Sequence, residues 1–257
     1  MKTTFILALA ASFVLCTTAS ACCVHCDWDD DDDDDCKICG KSYNNATEIR
    51  DLEPFSRVRL SHAVNVNIVQ GDEQSVVVKA DDSVIDKVKT DVNDGLLRVY
   101  IDEDWFRRVF NKKTHKVTVD IVVPELTAID ASGATNVSVT GFRNDNFTVK
   151  ASGASDIHMS DIIVNGITSC EASGASKVKI AGKGEKVIIR ASGASNVVSK
   201  DFATNVADVH ASGASDVNVT AYDEITVDCS GASDVDYYGH PKAVDVNTSG
   251  ASDVKSH

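Results

Sequence analysis

The sequence predicts an all-β fold, a parallel β-helix built as a single-stranded solenoid with about 20 residues per coil. Three observations lead there. First, a Ser-Gly-Ala signature recurs seven times, in copies that begin at Ala131, Ala151, Ala172, Ala191, Ala211, Cys229 and Thr248. Its opening serines stand at 132, 152, 173, 192, 212, 230 and 249, in steps of 20, 21, 19, 20, 18 and 19. Second, registering the copies on that serine produces columns that alternate apolar and polar. Three before it stand Ile129, Val149, Cys170, Ile189, Val209, Val227 and Val246, and five after it Val137, Ile157, Val178, Val197, Val217, Val235 and Val254. Period-two alternation marks a strand with one buried face. Third, β-branched residues fill the inward columns and leucine is almost missing from the repeats, which argues against helices and against a leucine-rich repeat.

Each copy therefore reads as strand, small-residue corner, strand and variable polar connection. The glycine supplies the positive φ or the close approach that a tight corner needs. Stacked serines are placed to hydrogen-bond along the ladder.

Taken in order, the chain opens with a signal sequence at 1–21: Lys2, a short apolar core from Phe5 to Cys16, and the small-x-small site Ala19-Ser20-Ala21. The apolar run is too short to span a bilayer, and no transmembrane segment follows it. The protein is thus expected to be exported, to the periplasm, the outer-membrane surface or the outside of the cell. Cys22 is a competing candidate for a lipid anchor.

Residues 22–49 read as a Cys/Asp-rich tether. Cys23 and Cys26 form one C-x-x-C, Cys36 and Cys39 another, and an aspartate run lies between them. Such knuckles would bind zinc in a reducing compartment, whereas export favours disulfides. Residues 50–257 form the β-helix: atypical first coils and an amino-terminal cap over 50–125, then the seven repeats over 126–257. Leu60-Ser61-His62-Ala63-Val64 looks like a degenerate corner, with His62 where glycine later stands. An inserted loop at 103–116 interrupts the pattern with Trp105, Arg107, Arg108, Lys112 and Lys113. Aromatics among cations on a chain of net charge −14 suit an acidic glycan or an anionic surface; the alternative is a loop that packs locally over the solenoid end. The same net charge argues against nucleic acid.

The opening at Phe55, Ile68-Val69-Gln70-Gly71-Asp72, Asp94-Gly95-Leu96-Leu97-Arg98-Val99, Pro124-Glu125-Leu126 and the Ser-Gly-Ala ladder together resemble the bacterial "putative auto-transporter adhesin head GIN domain" family over roughly 50–255. The resemblance implies a pectin-lyase-like β-helix, a place in the cell envelope of Bacteroidetes-like bacteria, and an adhesive role. It implies no catalytic residues.

Function is then expected to be adhesion or binding of a surface glycan or protein, with assembly through the solenoid ends or faces as a further route. A polysaccharide-active enzyme and a purely structural unit are the alternatives. Lys150, Glu171, Arg190 and His210 line up on successive coils, but no insertion flanks them to form a pocket, so no catalytic residue is assigned. No cofactor is called for. Zinc at the four cysteines, or calcium at the stacked Asp216, Asp234 and Asp253, are the metal alternatives, and a straight column supplies few of the oxygens that calcium gathers. Cys170 and Cys229 fall three coils apart and are expected to be free thiols.

Overall fold

The computed structural model describes residues 45–104 and 116–257. It is all-β, with a β-solenoid of about 6 turns and roughly 20 residues per turn. The first part carries β1 (Asn45–Arg50), β2 (Arg57–Leu60), β3 (Asn65–Gln70), β4 (Ser75–Asp81), a single 3-10 turn at Ile85–Lys87, β5 (Val88–Asn93), β6 (Leu96–Ile101) and β7 (Thr118–Val123). Then follow β8 (Ala128–Ala131), β9 (Asn136–Thr140), β10 (Arg143–Asn144), β11 (Phe147–Ala151), β12 (Asp156–Ala172), β13 (Lys177–Ala191), β14 (Asn196–Ala211) and β15 (Asp216–Cys229). The last strands are β16 (Asp234–Tyr238), β17 (Ala243–Thr248) and β18 (Asp253–Ser256).

From β8 onward, coils stack in chain order and in parallel register. Ile157 faces Val178, Val178 faces Val197, Val197 faces Val217 and Val217 faces Val235. The columns read from sequence are the columns of the solenoid. Before β8 the order differs. Strand β2 lies between β6 and β8, and β3 lies between β7 and β9, all parallel. The coil β2–β3 thus has a later coil, β6–β7, on one side and a still later one, β8–β9, on the other. Antiparallel strands complete this end: β4 pairs with β7 and with β1, and β5 pairs with β6 through a tight Asp94-Gly95 turn with both residues at positive φ.

The connection after each corner is not a polar loop. In β12 to β15 the extended chain runs from one corner to the next, with register shifts where it bends. The reason is that this stretch also buries apolar side chains, so each coil has a third inward side. In β12 that side is Ile162 and Val164, and in the next coils Phe202 and Ala221 occupy it, all fully buried. Gly184 leaves the room that the Phe202 ring takes, since a Cβ there would lie 2.8 Å from Phe202 Cζ.

At the corners, backbone N–H groups donate straight to the preceding coil: Ser152 to Ala131 O at 2.9 Å, Ala154 to Gly133 O at 2.7 Å and Asp156 to Thr135 O at 2.8 Å. The pattern repeats at every later corner. Gly193, with φ +77°, sits so close over Gly174 that a Cβ would come within 2.7 Å of its carbonyl oxygen. Corner hydroxyls differ from the expected serine ladder. The opening serines Ser132, Ser152, Ser173, Ser212 and Ser249 reach backbone, as Ser212 Oγ does to Ala191 O at 3.4 Å. Of the closing serines, Ser155, Ser215, Ser233 and Ser252 donate back into their own corner, as Ser233 Oγ does to Ser230 O at 2.7 Å, while Ser176 and Ser195 donate to Ala151 O and Ala172 O of the coil before. Backbone carbonyls are the nearer acceptors, and only Ser132 Oγ meets another corner serine, Ser61, at 3.3 Å.

Candidate functional site

The outward column two before the serine is a continuous ladder. Arg98, Arg59, Asp130, Lys150, Glu171, Arg190, His210, Asp228 and Asn247 face one another in that spatial order. Most members pair along it. Arg59 Nε lies 2.8 Å from Asp130 Oδ2, and Lys150 Nζ lies 2.8 Å from Glu171 Oε2. His210 sits between two carboxylates, with Nε2 at 3.0 Å from Asp208 and Nδ1 at 3.3 Å from Asp228. Asn247 Nδ2 donates to Asp228 Oδ1 at 3.3 Å. Exposed pairs of this kind contribute roughly 0–1 kcal/mol each, so their main effect is to fix where each head group points.

Arg190 is different. It is exposed and its side chain makes no hydrogen bond or ion pair with any described residue, because its two register neighbours are engaged elsewhere. It stands at the wall of a shallow groove of about 560 Å³ whose other walls include His210, Asp228 and Asn247, floored by the serines that open successive corners. Lys150, Glu171, Arg190 and His210, which the sequence put on successive coils, are thus adjacent. They form a surface ladder beside an open groove, with one carboxylate bound by a lysine, which is not the enclosed carboxylate pair that glycoside cleavage uses.

A second groove, about 360 Å³, lies beyond the corner, where Asn65, Asn67, Asn136, Ser138, His158 and Lys179 project. Asn136 donates to Asn65 Oδ1 at 3.0 Å, and Asn67 donates to Asp120 Oδ1 at 2.7 Å. On the same face Asp216, Asp234 and Asp253 stack in register. Among the described residues no group of three or more His, Cys, Asp or Glu side chains is gathered so as to hold a metal ion. Asp253 instead takes Lys255 Nζ at 2.8 Å, and this hydrogen bond holds its carboxyl below the usual range.

Trp105, Arg107, Arg108, Lys112, Lys113 and the cysteines at 22, 23, 26, 36 and 39 lie outside the described residues. Cys170 and Cys229 are free and buried, three ladder steps apart. Burial pushes the Cys170 thiol up to about 12 and raises Cys229 as well. Sequence reasoning singled out the charged ladder but missed the groove beside it. The signal was that a small serine stands two residues after a polar or charged one in every copy.

The family described as "Putative auto-transporter adhesin, head GIN domain" matches over residues 54–241. The chain belongs to that family. Solved structures share the GIN-domain fold. A protein from Bacteroides fragilis NCTC 9343, described as a putative adhesin, superposes with a TM-score of 0.77 at 19% identity, over 84% of this chain and 98% of its own. A Parabacteroides distasonis ATCC 8503 protein described as a putative lipid binding protein gives 0.60 at 16% identity, over 83% and 98%. A described adhesin from Parabacteroides merdae ATCC 43184 gives 0.57 at 17% identity, over 83% and 96%. Likeness at these identities shows the fold. A comparison with curated proteins returned no match.

Proposed function

We propose that this GIN domain is a non-enzymatic binding module of the bacterial surface, which attaches to glycan or protein presented there. The observation that carries the reading is the outward face itself. Polar side chains are held in register on a rigid backbone ladder, next to open grooves wide enough for part of an extended ligand and too shallow to exclude water. Water exclusion and a placed acid and base are what hydrolysis or elimination would require. Family membership supports a surface-binding role.

Export belongs to the same proposal, through a signal sequence at 1–21 with cleavage after Ala21 or lipidation at Cys22. Among the described residues no helix is long and apolar enough to cross a membrane. The test has two arms. Purified chain should adhere to mucin- or polysaccharide-coated surfaces without releasing reducing ends or unsaturated products. Turnover of any such polymer, or no adherence to any of them, would overturn the reading. Intact mass of the native protein should show loss of 1–21, with or without lipid on Cys22.

A further inference from the structure

We infer that the groove beside Arg190 is a subsite for an acidic saccharide, one carrying a single carboxylate on a hydroxyl-rich ring. This rests on the surface-binding reading above and names the ligand chemistry that one of its faces selects.

Every basic side chain of the ladder from Arg59 to His210 lies against a carboxylate except Arg190. Glu171, its neighbour on one side, is taken by Lys150, and His210, on the other, is taken by Asp208 and Asp228. An arginine fork with five donors and no acceptor fits a planar carboxylate through two parallel hydrogen bonds. Here it lines the groove of about 560 Å³.

The other end of the groove has a different character. Two coils on, roughly 10 Å from Arg190 at strand spacing, stands Asp228, and Asn247 follows one coil further, at roughly 14 Å. They offer a carboxylate acceptor and an amide. A sugar hydroxyl is both donor and acceptor, so it needs both kinds of partner. His210 holds the Asp228 carboxylate from one side and Asn247 from another, at 3.3 Å each, which orients it before any ligand arrives. Between the two ends, the hydroxyls of Ser192 and Ser230 face the groove and donate to no described residue. The floor is therefore a row of small polar groups at coil spacing.

The charge layout selects against the simpler anions. A dense polyanion would meet Asp208 and Asp228 as soon as it extended past Arg190, on a chain of net charge −14, and phosphate or sulfate is too small to reach Asp228, two coils on, and so gains only the contact with Arg190. A uronate places its one negative charge at Arg190 and its neutral hydroxyls against the carboxylate. That matches cation to anion and acceptor to donor along one direction.

The experiment is isothermal titration of the full chain with a neutral oligosaccharide that ends in one uronate, with its carboxyl-reduced counterpart, and with inorganic phosphate. The expected result is binding of the uronate-ended oligosaccharide, at least about tenfold weaker binding of the neutral oligomer, and no competition by phosphate. Arg190→Gln should lower affinity about tenfold, a change of about 1.4 kcal/mol, and Arg190→Lys should fall between, since it keeps the charge and loses the fork. Both variants should melt with the parent. Lys183→Gln, which removes an exposed charge outside the groove, should bind as the parent does. No binding of the uronate-ended oligosaccharide, equal affinity for the neutral oligomer, displacement by phosphate, or indifference to Arg190→Gln would each overturn the assignment. If Arg190→Gln leaves adherence to coated surfaces intact, the groove is wrong and the surface-binding function stands. If the parent chain does not adhere at all, the function itself fails.

Discussion

The first corner of the solenoid and the seven that follow have the same backbone and different residues at its tightest point. His62 has φ +71°, one degree below the corner glycines, which run from +72° at Gly153 to +82° at Gly133. Its carbonyl accepts from Ala134 N at 2.8 Å, as each corner glycine accepts from the alanine of the next coil. The conformation alone therefore does not demand glycine. The difference lies on the other side. Each later corner lies directly on the corner before it, and a Cβ would meet the facing carbonyl oxygen at 2.6–2.8 Å. The coil beyond His62 is β6–β7, which has no Ser-Gly-Ala corner; residues 102–117 connect its strands instead. Stacking, more than φ, makes glycine obligatory.

That comparison yields ordered expectations. Gly193→Ala carries the strain of a left-handed non-glycine residue, about 1–3 kcal/mol, and in addition must push Gly174 away. Its melting temperature should fall furthest of the variants considered, and a fall no larger than that of an exposed-charge variant would break the account. Next come the two ends of the inward column. Val227 is fully buried under β17, whereas Val246, its register partner on β17, is 40% exposed. Val227→Ala should cost about 1.5–3 kcal/mol and Val246→Ala under about 1 kcal/mol, read from chemical denaturation. Equal costs would mean that β17 is covered in solution, which assembly through this end would produce. Third, the native thiols should resist alkylation at pH 8: Cys170 is fully buried with its thiol near 12, and Cys229 is nearly so. Labelling should appear only with unfolding, and mass spectrometry should find no Cys170–Cys229 disulfide. Last and smallest, His62→Gly should change stability by less than about 1 kcal/mol, relief of strain being offset by the freer unfolded chain.

How much of this was legible follows from the same physics. The repeat was legible because every coil must satisfy the same stacking rule at the same place, so Gly133 to Gly250 and the columns on either side recur in the sequence. The stacking order at the amino-terminal end was not. Val66 and Ile68 alternate like any strand, and nothing in that alternation says that β3 will lie between β7 and β9. The inward third side was hidden because its residues change type from coil to coil and drift by one position: Ile162 and Phe202 stand ten after their opening serines, Ala221 nine. The ladder of Lys150 and Glu171 could be listed from sequence, because register follows from the repeat. That Arg190 would be left without a partner depended on which way its neighbours turned, and only side-chain geometry shows that.

The most direct test of the corner argument is the melting temperature of Gly193→His, which moves the residue of the first corner into a stacked one. If stacking governs, this variant should melt far below the parent and well below His62→Gly, or fail to fold as a cooperative unit, since histidine accepts the left-handed conformation at 62 and finds Gly174 O in its way at 193. A Gly193→His protein that melts with the parent would contradict it, and would return the corner glycines to a matter of φ alone.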